Sequence, residues 1–258
     1  MAASLSTVEQ GKRLAARAAV DQFVKDGMVI GIGSGSTVVY VAERVAERVR
    51  DEHLSLRCVA TSYQAKQLIH QHHLTLLELD QVDMIDVTID GADEILTSTL
   101  DVIKGGGGCM TQEKIVAAAS RCLVIVADHR KRSERLNTQF GYVPVEVVPM
   151  AAPRLAALLN SNAHPRLSRP EADGGLPHVA SATLRMAKAK AGPCVTDTAN
   201  FIVDIDFGGI SDPAAVEQRL TLEPGVVTVG LFIGMADHAF IGEEDGSVTT
   251  LHRRASST

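Results

Sequence analysis

Apolar positions follow two different rhythms along the chain, and the change between them divides it. Residues 8–25 place Ala16, Ala19, Val20, Phe23 and Val24 on one face, which predicts a helix ending near Gly27. Residues 28–32 are a short buried strand. Beyond 33–37, Val38, Val41, Ala42, Val45, Ala46 and Val49 recur at the spacing of a second amphipathic helix. Apolar runs at 56–60, 74–77, 85–89 and 123–127 predict further strands, a shorter run at 100–103 is strand-like, and 62–70 and 111–120 predict helices. Alternating βα units of this kind imply a parallel sheet covered by helices on both faces.

After residue 141 the rhythm changes. Val143-Pro-Val-Glu-Val-Val-Pro149 is not expected as a central strand, because proline removes ladder donors. A helix is expected at 152–159, then an exposed Pro/Gly-rich insertion loop at 161–178. Residues 182–187, 194–196 and 201–207 predict strands of an antiparallel sheet, and 213–220 a helix. The tail segments 226–233 and 239–242 are expected to return to the main sheet. The expected organisation is therefore an α/β catalytic domain from 1–141 and 226–258, with a smaller α+β domain at 142–225 inserted as a lid.

Composition narrows the classes. A chain of 258 residues can bury one large domain or two smaller ones. A net charge of −6 leaves no electrostatic footprint for nucleic acid. No apolar run approaches the ~20 residues that span a bilayer. Residues 1–6 lack a basic region and an apolar secretory core, so a short disordered lead into a cytoplasmic protein is expected. Cys58, Cys109, Cys122 and Cys194 match neither a disulfide frame nor a zinc site, and reduced thiols are expected. His70, His72 and His73 suggest a solvated helix end rather than a metal site.

The chemistry sits in the loops. Gly33-Ser-Gly-Ser-Thr37 joins a strand to a helix, where backbone N–H groups and hydroxyls form an anion site. It fits neither a dinucleotide fingerprint nor a Walker loop, and a single phosphate on a small metabolite suits it better. Asp90-Gly-Ala-Asp-Glu94 follows one strand, and Lys104 opens a run of four glycines after another. Glu113 then begins a helical pattern. Carboxylates can carry protons, while an ammonium and unshielded N–H groups can hold a developing oxyanion. Such a set suits proton abstraction beside a carbonyl. Each residue also has a plainer reading: Glu113 as a first-turn helix carboxylate, Asp90 and Asp93 as turn caps, Lys131 as part of a solvated basic run.

In order and spacing, seven segments resemble the type A ribose-5-phosphate isomerase family, eukaryotic-like branch. They are the motifs at 33–37, 90–94 and 104–108, Gln-Glu-Lys-Ile at 112–115, Ala-Asp-His-Arg-Lys at 127–131, Pro-Val-Glu-Val-Val-Pro at 144–149 and Pro-Gly-Val-Val-Thr-Val-Gly-Leu-Phe at 224–232. The resemblance implies a Rossmann-like sheet with a ferredoxin-like α+β lid. It implies metal- and cofactor-independent interconversion of D-ribose 5-phosphate and D-ribulose 5-phosphate through an enediol, in the non-oxidative pentose phosphate pathway, by a homodimer or homotetramer. Carried over by motif, Glu113 moves the proton between C1 and C2, Asp90 handles hydroxyl protons, and Asp93 helps to open the ring. Lys104 with the N–H groups of Gly105, Gly106 and Gly107 holds the enediolate oxygen. Ser34, Gly35, Ser36 and Thr37 cradle the phosphate with Lys131, and Gly91 and Ala92 line the substrate. Lys12 is a further candidate for the phosphate.

Three features depart from the family pattern. Asp197-Thr-Ala-Asn-Phe stands in place of Asp-Asn-Gly-Asn-Phe, so Ala199 would be strained if that turn needs positive φ. Glu223 replaces an apolar residue, and 161–178 is longer than usual. Two other classes share the architecture: a silent sugar-phosphate sensor, which would lack Glu113 or Lys104, and a coenzyme A transferase using Glu113 as nucleophile.

Overall fold

The computed structural model describes residues 6–161 and 176–253. The chain divides into two compact units. The first comprises Met1–Ala92, Gln112–Lys131 and Gly234–Thr258, and the second Asp93–Thr111 and Arg132–Ile233.

The first unit is built on a seven-stranded sheet. Its strands, in spatial order, are Val248–His252, His238–Gly242, Leu123–Asp128, Val87–Asp90, Val29–Ile32, Arg57–Ala60 and Thr75–Leu77. All neighbours are parallel except Val248–His252, an antiparallel hairpin partner at the edge that the sequence pattern did not suggest. Leu123–Asp128 is buried at every position, as expected of a parallel strand covered on both faces. Alternate residues show which elements cover each face. Ile30, Ile32 and Cys58 pack with Ala16, Val41 and Ile69, from the helices Thr7–Phe23, Val38–Glu52 and Tyr63–Gln71. Val29 and Val59 point the other way and pack with Val116 of the helix Met110–Ala118. No described helix is long and apolar enough to cross a membrane.

The second unit holds two four-stranded sheets. The larger runs Ser181–Leu184, Phe201–Asp206, Val143–Val147, Val226–Val229, all antiparallel. With the helices Ala152–Ser161 and Pro213–Thr221, its chain order is the βαββαβ of ferredoxin-like folds. The smaller sheet joins Leu231–Phe232, Val102–Ile103, Glu94–Leu96 and Arg132–Ser133. Val145, Leu155, Val203, Val216 and Leu231 share a hydrophobic core in this unit.

Several expectations change. Val143–Val147 is an interior strand despite Pro144. The carbonyl of Pro144 accepts the N–H of Gly230 at 2.7 Å, beyond the last ladder pair, Val229 with Val145. One residue's N–H and C=O face the same neighbour in such a ladder, so the donor Pro144 lacks falls past the ladder's end. Residues 194–196 form no strand; only an isolated bridge joins Met186 and Pro193. Of the two tail segments expected in the main sheet, only the second joins it, as His238–Gly242, whereas Val226–Val229 and Leu231–Phe232 pair within the second unit. For that reason the division does not fall at the expected boundaries, 141/142 and 225/226. Ladders draw 93–111, 132–141 and 226–233 into the second unit. The expected lead at 1–6, apart from Ser6, and residues 162–175 of the expected loop lie outside the described residues.

Candidate active site

In the first unit the candidate residues lie on loops at one edge of the sheet. Strands Val29–Ile32, Val87–Asp90 and Leu123–Asp128 are parallel neighbours, so their carboxyl ends share that edge. From these ends run the loop 33–37, Asp90 with Gly91 and Ala92, and the turn His129–Lys131. Open α/β sheets bind ligands at such edges.

Close packing holds the first loop against Asp90. The backbone N–H groups of Ser34 and Gly91 both donate to Asp90 Oδ1, at 2.8 and 2.7 Å. A Cβ on Gly33 would lie 2.1 Å from that oxygen and 2.5 Å from the Asp90 Cα, so only glycine fits. Gly35 sits at φ +107°, a region that side chains rarely adopt, and its N–H donates to Gln64 Oε1 at 2.8 Å. Ser34 is tied down by its hydroxyl, 2.8 Å from Thr61 Oγ1 and 2.6 Å from Ser62 Oγ. Thr37 is the N-cap of Val38–Glu52, at the positive end of that helix, and makes no side-chain capping bond.

Lys12 joins this loop. Its ammonium donates to Ser36 Oγ at 3.0 Å and pairs with Glu9 at 2.7 Å, while Tyr40 donates to the same carboxylate at 2.8 Å. The Lys12 and Tyr40 hydrogen bonds hold Glu9 below the usual carboxylate range. Burial and the Glu9 bond push the Tyr40 phenol up to about 12. Among the named phosphate candidates Lys12 had the weakest sequence support, and its signal was position. It occupies the buried face of its helix with Ala15, Ala16 and Ala19, where a lysine is out of pattern. Lys131 ends the turn after Asp128. Asp128 is buried, which alone would raise its pKa, but the Arg130 bond at 2.6 Å brings it below the usual range.

Glu113 lies in the first turn of Met110–Ala118 and is only 4% exposed. Its helix follows the lysine–glycine turn along the chain, at the positive end of the dipole.

The second unit carries the remaining candidates. Lys104 follows Val102–Ile103 and is 3% exposed; its N–H donates to Gly230 O at 2.9 Å, and its ammonium lies 5.6 Å from the centre of the Phe232 ring. Gly105 has φ +102°, and the turn closes with the Gly108 N–H on Gly105 O at 3.1 Å. Asp93 accepts the N–H of Gly106 at 2.7 Å, so that amide is already engaged, and a Cβ on Gly106 would stand 2.6 Å from the Asp93 carboxylate. Gly106 and Gly107 are exposed. Glu94 is structural: it accepts the backbone N–H groups of Asn137, Thr138, Gln139 and Phe140 at 2.8–3.2 Å. The sequence reading missed Arg185, which donates to the carbonyls of Gly105 and Gly106 at 2.8 and 3.2 Å.

A parallel sheet with a glycine–serine loop and acidic residues at its strand ends, accompanied by a ferredoxin-like unit, defines an α/β protein of the class whose open sheets take ligands at strand ends. The chain belongs to the ribose 5-phosphate isomerase A (phosphoriboisomerase A) family of aldose–ketose isomerases, whose model matches residues 57–246. Ribose-5-phosphate isomerase of Sus scrofa is 46% identical over 246 residues, covering 95% of this chain and 75% of that protein. Among solved structures, ribose 5-phosphate isomerase A of Methanocaldococcus jannaschii superposes with a TM-score of 0.82 at 37% identity, covering 95% of this chain and 99% of that one. A D-ribose-5-phosphate isomerase in complex with phospho-erythronic acid gives a TM-score of 0.85 at 37% identity, with the same coverage of both chains.

Proposed function

We propose that this chain interconverts D-ribose 5-phosphate and D-ribulose 5-phosphate by metal-independent proton transfer through an enediolate. The observation that carries the reading is Glu113, a carboxylate withdrawn from solvent in the helix turn that follows Lys104 and its glycines. A carboxylate kept from bulk water exchanges its proton with bound substrate rather than solvent.

Starting from the aldose, Asp93 assists opening of the sugar ring. Glu113 removes the proton from C2, the C–H electron pair forms the C1–C2 double bond, and O1 becomes the enediolate oxygen. Lys104 stabilises that oxygen with the glycine-turn amides other than Gly106, whose N–H is held by Asp93. Glu113 returns the proton to C1, and Asp90 moves the hydroxyl protons between O2 and O1. Ser36, Thr37, Lys12 and Lys131 bind the phosphate, with Gly35 permitting the loop's path and Ser34 fixing it. A family relative binds phospho-erythronic acid, whose carboxylate resembles the enediolate in charge and shape, and this supports the assignment. The family also supports a cytoplasmic homodimer or homotetramer, which light scattering of the purified chain tests.

The direct test is to incubate purified protein with ribose 5-phosphate in excess EDTA and follow ketose formation. Formation of ribulose 5-phosphate is expected. Binding of sugar phosphate without turnover would contradict the reading and favour the silent sensor.

A further inference from the structure

One side chain, Arg185, holds two carbonyls of the glycine turn. Arg185 follows the strand Ser181–Leu184. Its Nε and Nη2 form a fork on the Asp204 carboxylate, at 2.8 and 2.5 Å, and its plane lies over Tyr142 with the guanidinium carbon 5.3 Å from the ring centre. That leaves Nη1, which donates to Gly105 O at 2.8 Å and Gly106 O at 3.2 Å.

These carbonyls belong to two successive peptide groups. The first peptide's N–H is that of Gly106, which donates to Asp93 at 2.7 Å, so this peptide lies between a guanidinium and a carboxylate. The second peptide's N–H is that of Gly107, an exposed residue. A cation on a peptide oxygen draws electron density from its N–H and makes that N–H a stronger donor, since bonds in a chain polarise one another. Asp204 fixes the fork, and a planar guanidinium can grip that carboxylate with two nitrogens while its third meets the carbonyls, which the single nitrogen of a lysine cannot reproduce.

We infer that Arg185 is a positioning residue for isomerisation: it orients and polarises the peptides of Gly105 and Gly106, setting the donor strength of the turn that receives the enediolate. The inference rests on the isomerase reading above. Arg185 touches the turn and not the substrate, so its effect falls on the charge that develops during reaction rather than on phosphate binding. Mutating the residues that orient metal ligands typically costs about 10–100-fold, and a loss of the same order is expected for a residue that orients oxyanion donors.

The test measures kcat and KM for ribose 5-phosphate, and the dissociation constant of phospho-erythronic acid, in Arg185→Lys, Arg185→Met and Asp204→Asn. Arg185→Lys is expected to lower kcat by roughly 10–100-fold with KM within about threefold, and to weaken phospho-erythronic acid in parallel with kcat. Arg185→Met should lose more, because it also removes the charge. Should the Met variant fail to fold, Asp204→Asn carries the test. It retains Arg185 while loosening the fork, and the same kcat-selective loss is expected. Unchanged kcat in the folded variants, or equal losses in kcat, substrate affinity and thermal stability, would overturn the inference while leaving the isomerase assignment intact. An inactive unsubstituted chain would instead overturn the assignment.

Discussion

Asp90 Oδ1 accepts the backbone N–H of Ser34 at 2.8 Å, so the carboxylate ending one strand is bonded to the anion loop of the neighbouring strand. The proton chemistry proposed for Asp90 and the geometry of the loop would therefore be coupled in one residue. Asp90→Asn retains an oxygen for both N–H groups and should keep the fold. It should lose roughly 10²-fold or more in kcat, since an amide cannot relay protons. Gly33→Ala has no such room, because its Cβ would lie 2.5 Å from the Asp90 Cα. A loss of about 1–3 kcal/mol or more is expected, typical of overpacking. Chemical denaturation of both variants checks the contrast.

Lys12 contacts Ser36 and is 8% exposed, with Glu9 as its ion-pair partner. Lys12→Met should raise KM for ribose 5-phosphate by roughly 10–100-fold with little change in kcat, the pattern of lost uniform binding. Steady-state kinetics decides it. A kcat-selective loss would instead place Lys12 at the reacting carbons.

Ala199 stands at φ +61°, where the family pattern has glycine. A left-handed alanine costs about 1–2 kcal/mol, and glycine returns part of this through a more flexible unfolded chain. Ala199→Gly should therefore stabilise the protein by about 0.5–1 kcal/mol, measured by urea unfolding. The turn matters locally, since Thr196, Thr198 and Asn200 all donate to the fully buried carboxylate of Glu146.

His238 and His252 place their Nδ1 atoms 2.7 Å apart, and His238 also packs against Phe23 with ring centres 4.7 Å apart and the rings tilted by 44°. Burial, then the neighbouring His252, lowers the His238 pKa below its usual 6.5. The folded state thus binds fewer protons than the unfolded state just below that value. Stability should be full above pH 6.5 and fall as pH drops through the window beneath it. Melting temperatures between pH 7.5 and 5.5 should decline less in His238→Asn than in the unsubstituted chain. Equal slopes would refute the coupling.

The parallel sheet was legible because strands buried on both faces, such as Leu123–Asp128, read as continuous apolar runs. The small sheet was legible only in its apolar runs near 103 and 231, since Glu94–Leu96 and Arg132–Ser133, strands of three and two residues, are too short to show a period. Pro144 hid an interior strand because its missing donor matters only where a partner still runs alongside. Site residues carried on motifs were visible as chemistry. Lys12 was visible only as a misplaced charge on a buried helix face. Arg185 left no local signal, since a lone arginine beyond a strand declares no partner until the fold brings two glycine carbonyls to it.

The central claim is that Glu113 is the base. Kinetics of Glu113→Gln with ribose 5-phosphate, alongside calorimetric binding of phospho-erythronic acid, tests it most directly. The account predicts a fall in kcat of roughly 10²–10⁴-fold, about 3–5 kcal/mol of barrier, with the acid still bound. Near-normal turnover in that variant would contradict it.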